Sequence, residues 1–168
     1  MKSFQLLFAL FLLPLNAVHT QNKKLFPETA IVLNLDSVAV NANEIVKPGK
    51  VTMLVVWNSM MRPAIAELDS LHKMYPLWKE KYGLEIVALA WEYPKVPENF
   101  KKFLAKRSAW TYTIYRDPET KFGGSVRATS LPATYFFDKE GNMVFKTTGF
   151  DPAEILKYEE KLKELTGN

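Results

Sequence analysis

The stretch "LVVWNSMMRPAIAEL", Leu54 to Leu68, decides how the rest of the chain is read. Its first four residues close the run "VTMLVVW" from Val51 to Trp57, almost wholly apolar and rich in β-branched residues. A run of that kind, without polar alternation, marks a central strand covered on both faces. Asn58 and Ser59 form a short polar turn, and Pro63 opens a segment with a different period. Ile65, Leu68, Leu71, Tyr75, Trp78 and Tyr82 recur at helical spacing and stop at Gly83. Those positions describe a helix with one apolar face and a glycine to end it. Pro76 lies inside it; a lost backbone donor and a crowded preceding turn predict a kink or a split there.

Working outward, "AIVLNLDSVAVNA" alternates, with Ile31, Leu33 and Leu35 on one side and Val38 and Val40 after a break. This predicts two short strands around a turn at Asp36–Ser37. "VKPGK" is a turn by its Pro-Gly pair. Beyond Gly83, "LEIVALAW" is a second buried strand, and "PENFKKFLAKR" a helix with Phe100, Phe103 and Leu104 inward. "YTIYRD" reads as a short strand and "KFGGSV", Lys121 to Val126, as a turn without phosphate-loop spacing. "ATYFFDKEGNMVFKTTG" is a hairpin turning at Asp138 to Gly141. In "DPAEILKYEEKLKEL", Asp151, Pro152 and Glu154 have the spacing of an N-cap, a first-turn proline and a capping box. Strand–helix–strand followed by a hairpin and a closing helix predicts one α/β domain, a mixed sheet with helices on both faces.

Residues 1–20 read as a signal peptide: Lys2, the apolar run Leu6 to Leu15, then smaller and polar residues. That run falls short of the roughly 20 apolar residues that span a bilayer. Export follows as an expectation, periplasmic or extracellular, with no stable membrane span after cleavage. Residues 21–29 read as a flexible lead-in and residues 30–168 as the folded domain. The chain has no cysteine, which excludes disulfides, thiolate metal sites and thiol–disulfide exchange. Its 22 basic and 18 acidic residues are interspersed, without the basic stripe a nucleic-acid binder needs.

The landmarks together resemble the thioredoxin fold, as a three-layer sandwich with an extra N-terminal strand pair. Within it they are similar to the exported TlpA/ResA-like thiol–disulfide oxidoreductases of the redoxin, or AhpC/TSA, group. The resemblance covers Ala30 to Leu165. Family members carry a form like F-W-A-x-W-C-x-P-C-R-x-E, against which "VWNSMMRPAIAE" sets Trp57 on the first Trp and Met60 on the second. Met61, Arg62, Pro63 and Ala64 then fall on the C-x-P-C positions, and Glu67 on the Glu. "TSLPATYFFDKEG" supplies the family's cis-proline landmark at Leu131–Pro132 and its D-x-x-G turn at Asp138 to Gly141.

The resemblance implies an activity that this chain cannot perform. Dithiol exchange needs a thiolate at a helix N-terminus and a second thiol to resolve the mixed disulfide. Met61 and Ala64 supply neither, so no residue is assigned a catalytic role and no cofactor is implied. The former site can still hold an extended protein or peptide partner through main-chain pairing; Trp57, Met60, Met61, Ala64, Leu131 and Pro132 are its candidate groove. An alternative is an accessory pseudoenzyme of extracytoplasmic thiol–disulfide homeostasis. Adjacent methionines also raise Cu(I) binding, but a site needs further ligands, so packing is the better reading of Met60–Met61. His72 and Glu67 read as ordinary helix residues, Glu67 as one favoured by the helix dipole.

Overall fold

The computed structural model describes Phe26 and residues 30–92 and 97–167. The leader reading over 1–20 lies outside the described residues. Seven strands are found: β1 (Ile31–Leu33), β2 (Ala39–Asn41), β3 (Thr52–Trp57), β4 (Glu85–Ala90), β5 (Thr113–Arg116), β6 (Ala133–Phe137) and β7 (Met143–Thr148). They form one sheet in the order β2-β1-β5-β4-β3-β6-β7. The helices are α1 (Arg62–Tyr82), α2 (Pro97–Ala105), α3 (Lys121–Ser125) and α4 (Glu154–Thr166).

Connection length dictates strand direction. α1 carries the chain from β3 back to a parallel β4, and α2 from β4 to a parallel β5, because parallel neighbours need a long crossover. The short link after β6 can only reverse the chain, so β7 is antiparallel to it. In that turn Asp138 accepts from the Asn142 backbone at 2.7 Å, while Gly141 takes φ +83°.

β3 explains its own sequence. Met53, Val55 and Trp57 belong to the core under α1, α2 and α4, while Leu54 and Val56 belong to the core on the opposite face. Successive side chains leave a strand on opposite faces, so a strand covered twice is apolar at nearly every position, with buried Thr52 the exception in β3. The first core holds Leu68, Leu71 and Trp78 of α1, Phe100 of α2, and Tyr158 and Leu162 of α4. The second is closed by Phe122 of α3, by Ile45 and Val46, and by Phe26.

Several local expectations are corrected. Of the kink or split expected at Pro76, the split does not occur: α1 runs through it as a single helix. "KFGGSV" is a short helix, not a turn. In the N-terminal pair the core-facing residue is Val32, whereas Ile31 and Leu35 are exposed; the strand is only three residues long, and its pairing decides which face points inward. Within the lead-in, Phe26 is anchored: Asn43 exchanges two hydrogen bonds with its backbone, and its ring packs 4.6 Å from that of Phe122.

The N-cap of α4 is Ala153, not Asp151; Asp151 caps the turn that leads into the helix, its carboxylate accepting from the Ala153 backbone at 2.9 Å. Glu154 does not complete a box; it bonds Thr147 and Lys157 instead. Asp151→Ala is expected to cost about 0.5–1.5 kcal/mol, the usual net worth of one hydrogen bond. Urea unfolding of the variant checks this, and an unchanged midpoint would contradict the cap.

Candidate functional site at the end of the central strand

The polar turn after β3 is fastened on two sides. Asn58 donates to the Trp91 carbonyl at 2.6 Å and accepts from the Met60 backbone at 2.9 Å. The Ser59 amide donates to Glu92 at 2.6 Å. Met61 is the N-cap residue of α1, in extended conformation, and offers no side-chain oxygen to the helix. A helix start normally welcomes such an acceptor, because its first amides lack intrahelical partners.

Sheet register brings the proline loop to the same end. Val56 of β3 pairs with Ala133 of β6; carried one step further, the antiparallel register sets Trp57 across from Pro132. The Leu131–Pro132 peptide is cis. The Pro132 carbonyl accepts from Gly149 at 2.8 Å, while Leu131 takes part in no backbone hydrogen bond among the described residues.

The six candidate groove residues divide by depth. Met60 is 88% exposed, the largest value among the exposed large apolar side chains. Met61 and Leu131 are half-buried, each packed on one of the two cores. Trp57 and Ala64 are wholly buried and Pro132 is buried too. Trp57 therefore cannot line a groove; its ring lies in an aromatic cluster with Phe100, Phe103 and Trp110 at centroid distances of 5.9, 5.8 and 5.6 Å. Arg62 and Pro63 are exposed beside the two methionines.

A buried carboxylate lies beneath this end of α1. Glu67 is fully buried, and its Oε1 accepts from the hydroxyls of Thr134 at 2.6 Å and Tyr158 at 2.7 Å. Its other oxygen has no partner among the described residues. Burial pushes the carboxyl up to about 7, against the two hydrogen bonds that lower it. Burial likewise raises Tyr158, which stays a protonated donor. The expectation of an ordinary dipole-favoured helix residue is thus wrong. The signal was present: Glu67 falls on the same stripe as Ala64, Leu68 and Leu71, where an acid is out of pattern.

The turn is backed by Trp91. A β-carbon added at Gly123 would stand 2.7 Å from that ring, and the Gly123 amide donates to buried Asp117 at 2.9 Å. Gly123→Ala must therefore tilt Trp91 away, at an expected cost of about 1–2 kcal/mol by overpacking. A shift in tryptophan fluorescence together with a lower urea midpoint would show it.

The whole chain lacks cysteine, so no sulfur in it can form a disulfide. Residues 23–146 match the model of the AhpC/TSA family. The chain belongs to that family. Among AhpC/TSA relatives, the thiol-disulfide oxidoreductase ResA of Bacillus cereus is 30% identical over 109 residues, 65% of this chain and 61% of that protein. The match thus spans less than two thirds of the relative's length. A thioredoxin-like protein from Porphyromonas gingivalis superposes with a TM-score of 0.73 at 21% identity, over 86% of this chain and 93% of that one. A secreted disulfide oxidoreductase of Mycobacterium tuberculosis superposes with a TM-score of 0.62 at 16% identity, over 80% and 95%. These likenesses establish a thioredoxin-like fold, with the N-terminal strand pair β1–β2 added at one sheet edge. This AhpC/TSA member is a distant ResA relative without thiols.

Proposed function

We propose that this protein is an exported, redox-inactive binding module that holds an extended segment of another protein at the former active-site face. The observation that carries the reading is the division by depth at that face. The two positions that match the cysteines are Met61 and Ala64, while exposed Met60 and half-buried Leu131 remain at the surface. Leu131 keeps an amide and a carbonyl outside the backbone network of the described residues, and an added strand takes its hydrogen bonds from groups of that kind. Export is supported by the leader-like residues 1–20 and by likeness to a secreted oxidoreductase.

The test uses an unfolded chain as probe, reduced and carboxymethylated α-lactalbumin, titrated calorimetrically into the protein. Binding is expected with wild type and lost with Leu131→Asp, which sets a charge on the apolar face. Equal heats for both proteins, or none from wild type, would reject the groove.

The relationship to ResA favours a second reading, an accessory role beside an active oxidoreductase. An insulin-reduction assay separates the two. The protein alone is blank under both, and its addition to an active ResA-type enzyme changes the rate only under the second.

A further inference from the structure

We infer that Met60 is a reversible oxidation site whose state sets the polarity of the binding face. The inference rests on the binding reading above and adds its regulation. The chain contains six methionines and no cysteine, so a thioether is the sulfur that an oxidant meets. Among the described methionines, exposure separates them sharply. Met53 is fully buried, Met61 and Met74 are packed against the core, and Met143 on β7 is 52% exposed. Met60 stands at 88%.

The turn keeps it there. The Met60 amide is held by Asn58, which is itself tied to the Trp91 carbonyl, and the neighbouring Ser59 amide is tied to Glu92. The side chain therefore projects from a fastened backbone on the face proposed for binding.

The chemistry is balanced by a peroxide alone. A sulfur lone pair attacks one oxygen of hydrogen peroxide, the S–O bond forms as the O–O bond breaks, and the departing oxygen leaves as water. Sulfur loses two electrons and peroxide gains them. The product, a sulfoxide, is polar and chiral where the thioether was apolar and flexible, and methionine sulfoxide reductases reverse it. Unlike a sulfenic acid on cysteine, it passes to no second sulfur in this chain.

Limiting hydrogen peroxide followed by peptide mapping in a mass spectrometer tests the site. Met60 is expected to oxidise several-fold faster than Met143, with Met53 unmodified in the folded protein. Calorimetry with carboxymethylated α-lactalbumin tests the consequence. Oxidation is expected to weaken binding about fivefold or more, the scale of one lost apolar contact, and reductase treatment to restore it. Met60→Leu removes the sulfur, so whatever affinity that variant has for the probe should be the same before and after peroxide. Met143 oxidising as fast as Met60, or a Met60→Leu protein that remains peroxide-sensitive, overturns the assignment. A wild type that binds equally before and after oxidation overturns the switch alone. A wild type that never binds the probe overturns the binding reading, and the switch with it.

Discussion

Placing cysteine at both former positions, Met61→Cys with Ala64→Cys, is expected to create a redox-active disulfide in a chain that otherwise has none. Wild type has no sulfur able to exchange, so its rate in insulin reduction is zero apart from the uncatalysed background. Position 61 is the N-cap of α1 and position 64 lies within its first turn. Both the unpaired amides and the helix dipole favour a thiolate there, lowering the thiol pKa from its ordinary value of about 8.5. Position 61 is half-buried and position 64 fully buried, which suits an outer attacking sulfur and an inner resolving one. The double variant should lose two hydrogens on mild oxidation, read by mass, and reduce insulin measurably with dithiothreitol as electron source. Either single variant should fail, because a mixed disulfide then has no internal thiol to resolve it. Oxidation to a cross-linked dimer without the internal bond would show that the junction lacks the geometry of its relatives.

Glu67 predicts a pH-dependent stability whose sign is set by its environment. The folded carboxyl titrates at about 7 and the ordinary value is 4.5. Between those pH values the folded protein holds a proton that the unfolded chain has released. Stability is therefore greatest below pH 4.5 on this account, falls as pH rises through the window, and is lowest above about 7. A gap of about 2.5 pH units is worth about 3 kcal/mol at roughly 1.4 kcal/mol per unit. Above the window a charged carboxylate sits buried, with Thr134 and Tyr158 as its hydrogen-bond donors and Glu154 repelling it.

Glu67→Gln keeps an oxygen for both hydroxyls and cannot ionise. Urea unfolding at pH 5 and pH 8 should find the variant the more stable protein at pH 8 and near wild type at pH 5. The difference between the two profiles isolates Glu67 from other groups titrating in the same range. Parallel profiles would sink the assignment of a buried, proton-holding carboxyl.

Much of the architecture could be read locally. The nearly unbroken apolar run Val51 to Trp57 gave a strand buried twice, and the apolar stripe ending at Gly83 gave α1 almost to the residue. Asp138 and Gly141 marked the hairpin. Elements too short to show a period were misread. Val32 rather than Ile31 faces the core, and Lys121 to Ser125 winds into helix. Of the candidate site, it is the sheet register that sets the junction and the proline loop at one sheet end. Trp57, however, was counted among the groove candidates, whereas the strand's pleat buries it among α2 aromatics. The acid at position 67 was assigned to the wrong environment.

What the sequence determined by itself is covalent or periodic: the absence of an exchangeable sulfur, and the order of strands and helices that spells the fold. Both are properties of neighbouring residues, and no packing can alter them. What only the tertiary structure decided is which of those residues meet. Glu67 finds Thr134 and Tyr158 across 67 and 91 positions of chain, and Met60 is left outside while Met61 turns inward. Burial and partnership belong to the assembled layers, where desolvation sets the charge of a carboxyl and the exposure of a thioether, and no local pattern carries that information.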